Sequence, residues 1–361
     1  MIRIKAAVCR AFGEPLSIEE VTLRDPLAGE VQVTLEAVAI CHSDISFADG
    51  GWGGPLPAVY GHEAAGRISA LGPGAVGLNE GDRVVVTLLR SCGRCTQCAS
   101  GRHPPLCETP SAATLGPLSG EDGAPVWQAM SCGAFAERVV VDQSQVVAVG
   151  DAVSPEVAAL LACGVITGVG AVVNSAGLRA GQDAVVIGAG GVGLNAIQGA
   201  RIAGARRIVA VDLSAAKLEV AREFGATDVV LASGPAPWDE MRAAIGRGAD
   251  AVLVTVGATQ AYDAAPRYLA PGGRVVTVGM PHVGALSHFE PVNLAAAGQG
   301  MVGSKMGDVV IRRDIPWMVD LYQQGRLKLD ELISGRWSLE QINEAMDDTR
   351  SGSAKRNVIL F

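Results

Sequence analysis

Aromatic side chains are scarce: Phe, Trp and Tyr make up 4% of the 361 residues. They are scattered, and offer no stacking platform for single-stranded nucleic acid. Positive charge is in deficit. Lys and Arg number 29 against 37 Asp and Glu, a net charge of −8. That argues against nucleic acid and anionic membrane surfaces as partners. The stretch Met1-Ile2-Arg3-Ile4-Lys5-Ala6-Ala7-Val8 alternates like a strand. It lacks the apolar core and cleavage site of a signal peptide. One uncharged stretch, 157–178, is long enough to span a bilayer. It is rich in Ala and Gly and includes Thr167, Asn174 and Ser175, so it reads as a buried helix and turn. Repeats and low-complexity tracts are missing. What remains is a cytoplasmic chain with no membrane segment, long enough for two full cores.

Glycine, by contrast, is abundant, and one cluster of it organises the chain. Ala184-Val185-Val186-Ile187 is a short apolar run of the kind a buried strand shows. Gly188-Ala189-Gly190-Gly191-Val192-Gly193 follows, a G-x-G-x-x-G, and then a helical pattern through Leu194, Ile197 and Ile202. A second apolar run, 208–211, ends on Asp212. Strand, glycine turn, helix, strand and acid in this order form a dinucleotide-binding fingerprint. Gly188 permits the tight turn, Gly190 lets the backbone approach a pyrophosphate, and Gly193 lets helix and strand pack closely. Gly191 and Val192 begin the helix, whose free N–H groups and dipole favour phosphate. Asp212 sits where a carboxylate accepts hydrogen bonds from the adenosine ribose. The acid, with no basic residue at Leu213-Ser214, predicts NAD over NADP.

Upstream, residues 1–160 read as strands and turns. Residues 31–38 alternate with period two, Gly81-Asp82-Arg83 precedes the run 84–86, and 136–149 is strand-rich. From about residue 165 the pattern changes to alternating strand and helix. Further buried strands fall at 229–231, 251–256 and 274–278, with helical patterns at 218–224 and 261–269. Such alternation predicts a doubly wound parallel sheet. The tail has helical stretches around 315–324 and 339–350. It ends in a short strand, 357–360, placed to rejoin the first domain.

Eight cysteines in a chain of this kind suggest metal rather than disulfides. Cys92, Cys95, Cys98 and Cys107 are spaced C-x2-C-x2-C-x8-C. Four thiolates on one lobe suit tetrahedral zinc with no position left for substrate; an iron–sulfur centre is the alternative on ligand type alone. His103, inside the lobe, is expected at the surface. Cys41, His62 and Cys163 lie far apart in sequence. Two Cys and one His form a plausible three-ligand zinc site with an open fourth position, but separation in sequence does not show that they meet. Cys9 and Cys132 read as buried or free thiols, and His282 and His288 as loop residues.

These motifs together resemble the zinc-dependent alcohol dehydrogenases of the medium-chain dehydrogenase/reductase superfamily, over essentially the whole chain. The resemblance is carried by Cys41-His42-Ser43-Asp44, Gly61-His62-Glu63-Ala64-Ala65-Gly66, Gly81-Asp82-Arg83-Val84, the cysteine lobe, Cys163-Gly164 and 188–212. It implies an α/β fold: a Rossmann-type doubly wound parallel sheet plus a β-rich, GroES-like catalytic domain. The expected boundaries are 1–164 for the catalytic domain with a structural zinc lobe at 91–107, 165–303 for the NAD-binding domain, and 304–361 for a segment completing the first. It implies two Zn2+ per chain. Cys41, His62 and Cys163 would bind the catalytic ion, with Glu63 behind it and able to approach it, and the lobe would bind the structural one. Asp44 matches the carboxylate that orients the zinc-binding His, and Ser43 the hydroxyl that holds the substrate oxygen. His42, Arg356 and the backbone of 190–192 match pyrophosphate contacts. Asp212 and Lys217 match ribose contacts, and Thr167 and Val278 fall where the family touches the nicotinamide. Trp52 and Leu88 match pocket-lining positions.

The implied reaction is reversible oxidation of an alcohol to an aldehyde or ketone, with hydride passing to NAD. The implied assembly is a homodimer or homotetramer, with 301–306 near the contact. Two departures from the family stand out. Its structural-zinc loop usually has seven residues between the third and fourth cysteines where this chain has eight. Ser46 also stands where many relatives carry a histidine that passes the proton to solvent. Three rival readings are a polyol dehydrogenase, a glutathione-dependent formaldehyde dehydrogenase, and a non-catalytic zinc- and nucleotide-binding protein. The first often has an acid where Cys163 stands. The second usually has an acid in the loop that here reads Gly50-Gly51-Trp52-Gly53-Gly54. Intact ligands at both zinc positions argue against the third.

Overall fold

The computed structural model describes residues 1–100, 104–109 and 116–361. His103 lies outside them. The chain divides into two compact units. The first comprises Met1–Cys163, Val310–Gly325 and Leu329–Phe361; the second comprises Gly164–Val309 with Arg326–Lys328.

The first unit is built from strands. Ile2–Cys9, Ser17–Leu23, Leu118–Ser119, Pro125–Gln128 and Ala58–Val59 close into a small barrel. A second sheet is centred on Glu30–Ala39. This strand pairs antiparallel with Glu63–Leu71, with Arg138–Asp142 and with the C-terminal strand Arg356–Leu360. Its alternation has a plain cause: Val31, Val33, Leu35 and Val38 bury their side chains in the unit's core, while Thr34 and Glu36 remain partly exposed. Register decides which residues meet at the sheet's end. Ala39 lies opposite Glu63, and Ala64 lies opposite Val86 at the end of Arg83–Val86. Cys41, His62 and Leu88 therefore all leave the sheet at one end.

Six parallel strands form the sheet of the second unit: Asp183–Ile187, Arg207–Asp212, Asp228–Leu231, Ala249–Val254, Leu269–Thr277 and Gly300–Gly303. Counted in chain order, they lie 3-2-1-4-5-6 across the sheet. That is the doubly wound order, with its switch between the first strand and the fourth. These strands are near-continuous apolar runs because the faces of such a sheet are covered; Val185, Val209, Val252 and Val275 are buried.

The uncharged stretch 157–178 is not one helix. It comprises parts of Pro155–Leu160 and Gly164–Gly170, then a π-helical turn, Ala171–Ala176. No helix among the described residues is long and apolar enough to cross a membrane.

The division differs from the boundaries read from sequence, for identifiable reasons. Residues 304–309 stay with the second unit because Asn174 donates to the Gly307 carbonyl (3.0 Å) and Ser175 to Asp308 (2.7 Å). Arg326–Lys328 return to it because Gln198, fully buried, grips both the N–H (2.7 Å) and the carbonyl (3.0 Å) of Lys328.

Candidate functional site

Helix Gly191–Ile202 starts directly after the first strand of the parallel sheet. Gly188 has φ 99°, a conformation few residues other than glycine adopt. A Cβ on Gly193 would fall 1.8 Å from the Gly188 carbonyl oxygen, so only glycine allows the helix to approach its own turn. Gly190 is the N-cap residue, with open space where a Cβ would stand. Asp212 ends the second strand, and its carboxylate accepts the Ala189 N–H (2.8 Å) and the Ser214 N–H (2.9 Å). It thus fastens the glycine turn and holds its own position. Lys217 lies in the first turn of the next helix, Ala215–Glu223, where its N–H reaches Ser214 Oγ at 3.4 Å. Val278 follows the fifth strand, and Thr167 is buried with its hydroxyl 3.6 Å from Met306 Sδ.

A titratable cluster occupies the first unit. Ligand atoms of Cys41, His62, Glu63 and Cys163 all lie within 4.8 Å of one another, and all four residues are buried. Cys41 caps the short helix His42–Ala48. Asp44, with no exposed surface, holds this end together. It accepts the Cys41 N–H (3.0 Å) and the Gly61 N–H (2.9 Å), and lies 3.0 Å from His62 Nδ1. The pairing fixes the imidazole and turns its other nitrogen inward. That atom, Nε2, is buried with no hydrogen-bond partner among the described residues. An orphaned imidazole nitrogen beside two thiols is costly unless a cation completes it.

The charges agree. Burial works against a positive His62, but Asp44 and Cys41 outweigh it and raise its pKa well above the ordinary value. The hydrogen bond from Cys163 leads in pulling Cys41 far down, while the same contact and burial push Cys163 far up. Two thiols this close do not both ionise while no cation lies between them. Glu63 is pushed up to about 7 by burial, against the pull of Arg356. The guanidinium of Arg356 donates to both carboxylate oxygens of Glu63. Sequence reading placed Arg356 at the pyrophosphate. The structure buries it against Glu63, a pairing across 293 positions that no local signal announces.

Ser43 Oγ lies 3.4 Å from Cys41 Sγ. His42 is exposed at the start of the helix, and Ser46 is half-buried one turn on. Phe47, on the same helix, meets the ring of Trp52 edge-on at 5.0 Å and Trp127 at 6.4 Å. Leu88 is half-buried at the same end of the sheet, whereas His282 and His288 are exposed loop residues. Cys9 and Cys132 are buried free thiols.

The second cluster is local. The sulfurs of Cys92, Cys95, Cys98 and Cys107 lie within 4.8 Å of one another, and none is in a disulfide. Amide groups point at them: Cys95 N–H at Cys92 Sγ (3.3 Å), Cys92 N–H at Cys107 Sγ (3.4 Å) and Glu108 N–H at Cys95 Sγ (3.4 Å). The Thr109 hydroxyl and nearby amides hold the Cys92 thiol down to about 5, while burial pushes Cys98 up to about 12. Four converging sulfurs with amides donated to them fit a tetrahedral metal with no open position. The eighth residue in the loop has not spread the four apart.

The comparisons agree with this anatomy. Residues 27–151 match the alcohol dehydrogenase GroES-like domain, and residues 191–324 match the zinc-binding dehydrogenase family. A putative alcohol dehydrogenase D of Mycobacterium tuberculosis is 37% identical, covering 99% of this chain and 100% of its own. An NDMA-dependent alcohol dehydrogenase of Amycolatopsis methanolica is also 37% identical, over 99% of both chains. The crystal structure of an alcohol dehydrogenase zinc-binding domain protein from Burkholderia ambifaria superposes with a TM-score of 0.95 at 34% identity, covering 100% of this chain and 99% of that one. With the parallel sheet and the β-rich unit both in place, the chain belongs to the zinc-dependent alcohol dehydrogenases of the medium-chain dehydrogenase/reductase superfamily, enzymes that oxidise and reduce at an alcohol carbon with a nicotinamide cofactor.

Proposed function

We propose that this enzyme transfers hydride between an alcohol and NAD, with a catalytic zinc held by Cys41, His62 and Cys163 and a structural zinc held by Cys92, Cys95, Cys98 and Cys107. The observation that carries the reading is the orphaned His62 Nε2 facing two thiols, with Asp44 fixing the ring from behind. A zinc ion there supplies a Lewis acid that lowers the pKa of an alcohol hydroxyl, and the nicotinamide supplies the hydride acceptor. The protein's part is orientation and proton handling. Asp44 keeps a proton on His62 Nδ1 and so leaves Nε2 as the donor to metal. Arg356 balances the charge of the Glu63 carboxylate, which stands among these ligand atoms, by two charge-assisted bonds. Ser43 takes the proton from the substrate hydroxyl and passes it on, since a hydroxyl both accepts and donates.

Gly188, Gly190, Gly191, Val192 and Gly193 form the pyrophosphate turn, with His42 as a further contact. Thr167 and Val278 face the nicotinamide. Asp212 and Lys217 take the adenosine ribose. A carboxylate fixed by two backbone amides favours ribose hydroxyls and repels a 2′-phosphate, which supports NAD. The working assembly is a cytoplasmic homodimer or homotetramer. NADH formation across primary, secondary, aromatic and polyol alcohols tests the reaction, run with and without NDMA because one relative depends on it. A kcat/KM for NADP equal to or above that for NAD would show that Asp212 does not have this role.

A further inference from the structure

Aromatic side chains make up 4% of the chain, yet four of them meet at the helix that carries Ser43. Phe47 is their centre. Its ring meets Trp52 edge-on, with centroids 5.0 Å apart and planes at 84°, and meets Trp127 in the same way at 6.4 Å and 76°. Tyr60, fully buried, stacks on it at 6.0 Å. Edge-to-face contact is a geometry that aromatic rings prefer, and it is directional where aliphatic packing is not. Phe47, Trp52 and Trp127 are only half-buried, so the cluster keeps an accessible side.

The helix sets where that cluster stands. Ser43 and Phe47 are four residues apart, on one face, with roughly 6 Å between them along the axis. Helical side chains lean toward the N-terminus, so Phe47 inclines toward the turn of Ser43 and Cys41. The loop that carries Trp52 is tied to the same helix. Gly50 N–H donates to the Phe47 carbonyl (2.9 Å) and Gly51 N–H to that of Ser46 (2.8 Å). A Cβ on Gly54 would fall 2.8 Å from the Trp127 ring, so glycine there lets the loop lie on that indole. Gly50-Gly51-Trp52-Gly53-Gly54 offers no hydroxyl, acid or base, and Asp49 just before it is paired with Arg350 (3.0 Å). A polyol would bury hydroxyls against this loop without partners, and a charged conjugate would find no counter-charge on it.

We propose that the substrate is an aryl-methanol, a flat aromatic ring joined through one carbon to the hydroxyl, with its ring against Trp52. Phe47 and Trp127 are positioning residues that set the angle of that indole. The proposal rests on the hydride-transfer reading of this site. The oxygen lies at Ser43 and the ring one helical turn away, beside rings already fixed for aromatic contact. The carbinol carbon loses a hydride to NAD and the hydroxyl loses its proton through Ser43, leaving the aryl aldehyde, NADH and one proton.

The test uses the full, zinc-loaded enzyme. With NAD, benzyl alcohol should be oxidised with a higher kcat/KM than ethanol or sorbitol. A wild type that oxidises none of the three defeats the hydride-transfer reading; one that prefers ethanol or sorbitol overturns the aryl proposal alone. Two unreactive inhibitors, benzamide and cyclohexanecarboxamide, separate ring recognition from reactivity. A merely apolar pocket favours the saturated ring, which has more apolar surface. An aromatic wall favours the flat one, so benzamide should have the lower Ki by about fivefold. Trp52→Leu should abolish that preference and Trp52→Phe should keep most of it. Trp127→Leu should reduce it by a smaller factor with two zinc ions still bound, and Trp127→Phe should restore it. Equal Ki values in wild type, or a preference untouched by Trp52→Leu, overturn the proposal. The wild-type ratio depends on no variant's folding and decides on its own.

Discussion

The two cysteine clusters use the same chemistry and are built in opposite ways. The lobe at Cys92–Cys107 draws every ligand from one short run of chain, and its sulfurs are half-exposed. The cluster at Cys41, His62 and Cys163 draws its ligands from a helix cap, a strand start and the end of the first long segment of its unit, and buries all of them. The lobe surrounds its centre with four sulfurs and backbone amides. The buried cluster offers two sulfurs and one imidazole nitrogen, with a carboxylate paired to Arg356 beside them. A closed set of ligands organises a loop, whereas an incomplete set leaves room for a substrate.

That contrast can be broken by mutation. Cys163→Ala should reduce turnover to background while the protein stays folded, still binds NADH, and falls from two zinc ions per chain to one by metal analysis. One zinc per chain in fully active wild type would refute the two-site assignment. Cys95→Ala should act on stability instead. Losing a structural metal belongs with the largest single-site effects, roughly 4 kcal/mol or about 10 °C in Tm for a chain of this size, read by thermal unfolding with and without added zinc. An unchanged Tm would make the lobe dispensable. Ser43→Ala should lower kcat by about a hundredfold, the usual cost of lost acid–base help, with both zinc ions retained. A smaller effect belongs to Ser46. Ser46→Ala should leave kcat unchanged because water can relay the proton. Ser46→His should add a group titrating near pH ~6.5 and raise kcat on the acid side of the optimum where proton release limits the rate. A large loss in Ser46→Ala would show that its hydroxyl is an essential relay.

The same contrast explains what could be read from the sequence. Spacing alone identified the lobe because its geometry is local. The glycine turn and Asp212 were legible for the same reason: one βαβ unit contains the whole fingerprint. The strand at 357–360 was expected to rejoin the first unit, and it pairs with Glu30–Ala39. The buried cluster was different. Periodicity placed the strand at 31–38 and the turn before 84–86, but not the register that brings Cys41 beside His62. Only the family resemblance joined them to Cys163. The pairing of Arg356 with Glu63, the sixth strand Gly300–Gly303 and the left-handed turn at 306–308 escaped entirely. Each depends on a partner distant in sequence, and the sixth strand is short and glycine-flanked, with no alternation to count.

The strand that carries Arg356 also sets an order of events in time. During synthesis the chain emerges N-terminus first, and domains fold as their segments appear. The four cysteines of the lobe become available together, early, and can capture a metal before most of the protein exists. The ligands of the buried cluster are all present once Cys163 has emerged, yet Glu63 then lacks the guanidinium that comes 293 residues later. Until the strand that carries Arg356 docks on Glu30–Ala39, that carboxylate is a buried charge without its cation. The buried cluster therefore reaches its final charge state later than the lobe, when a strand made long after its ligands is in place.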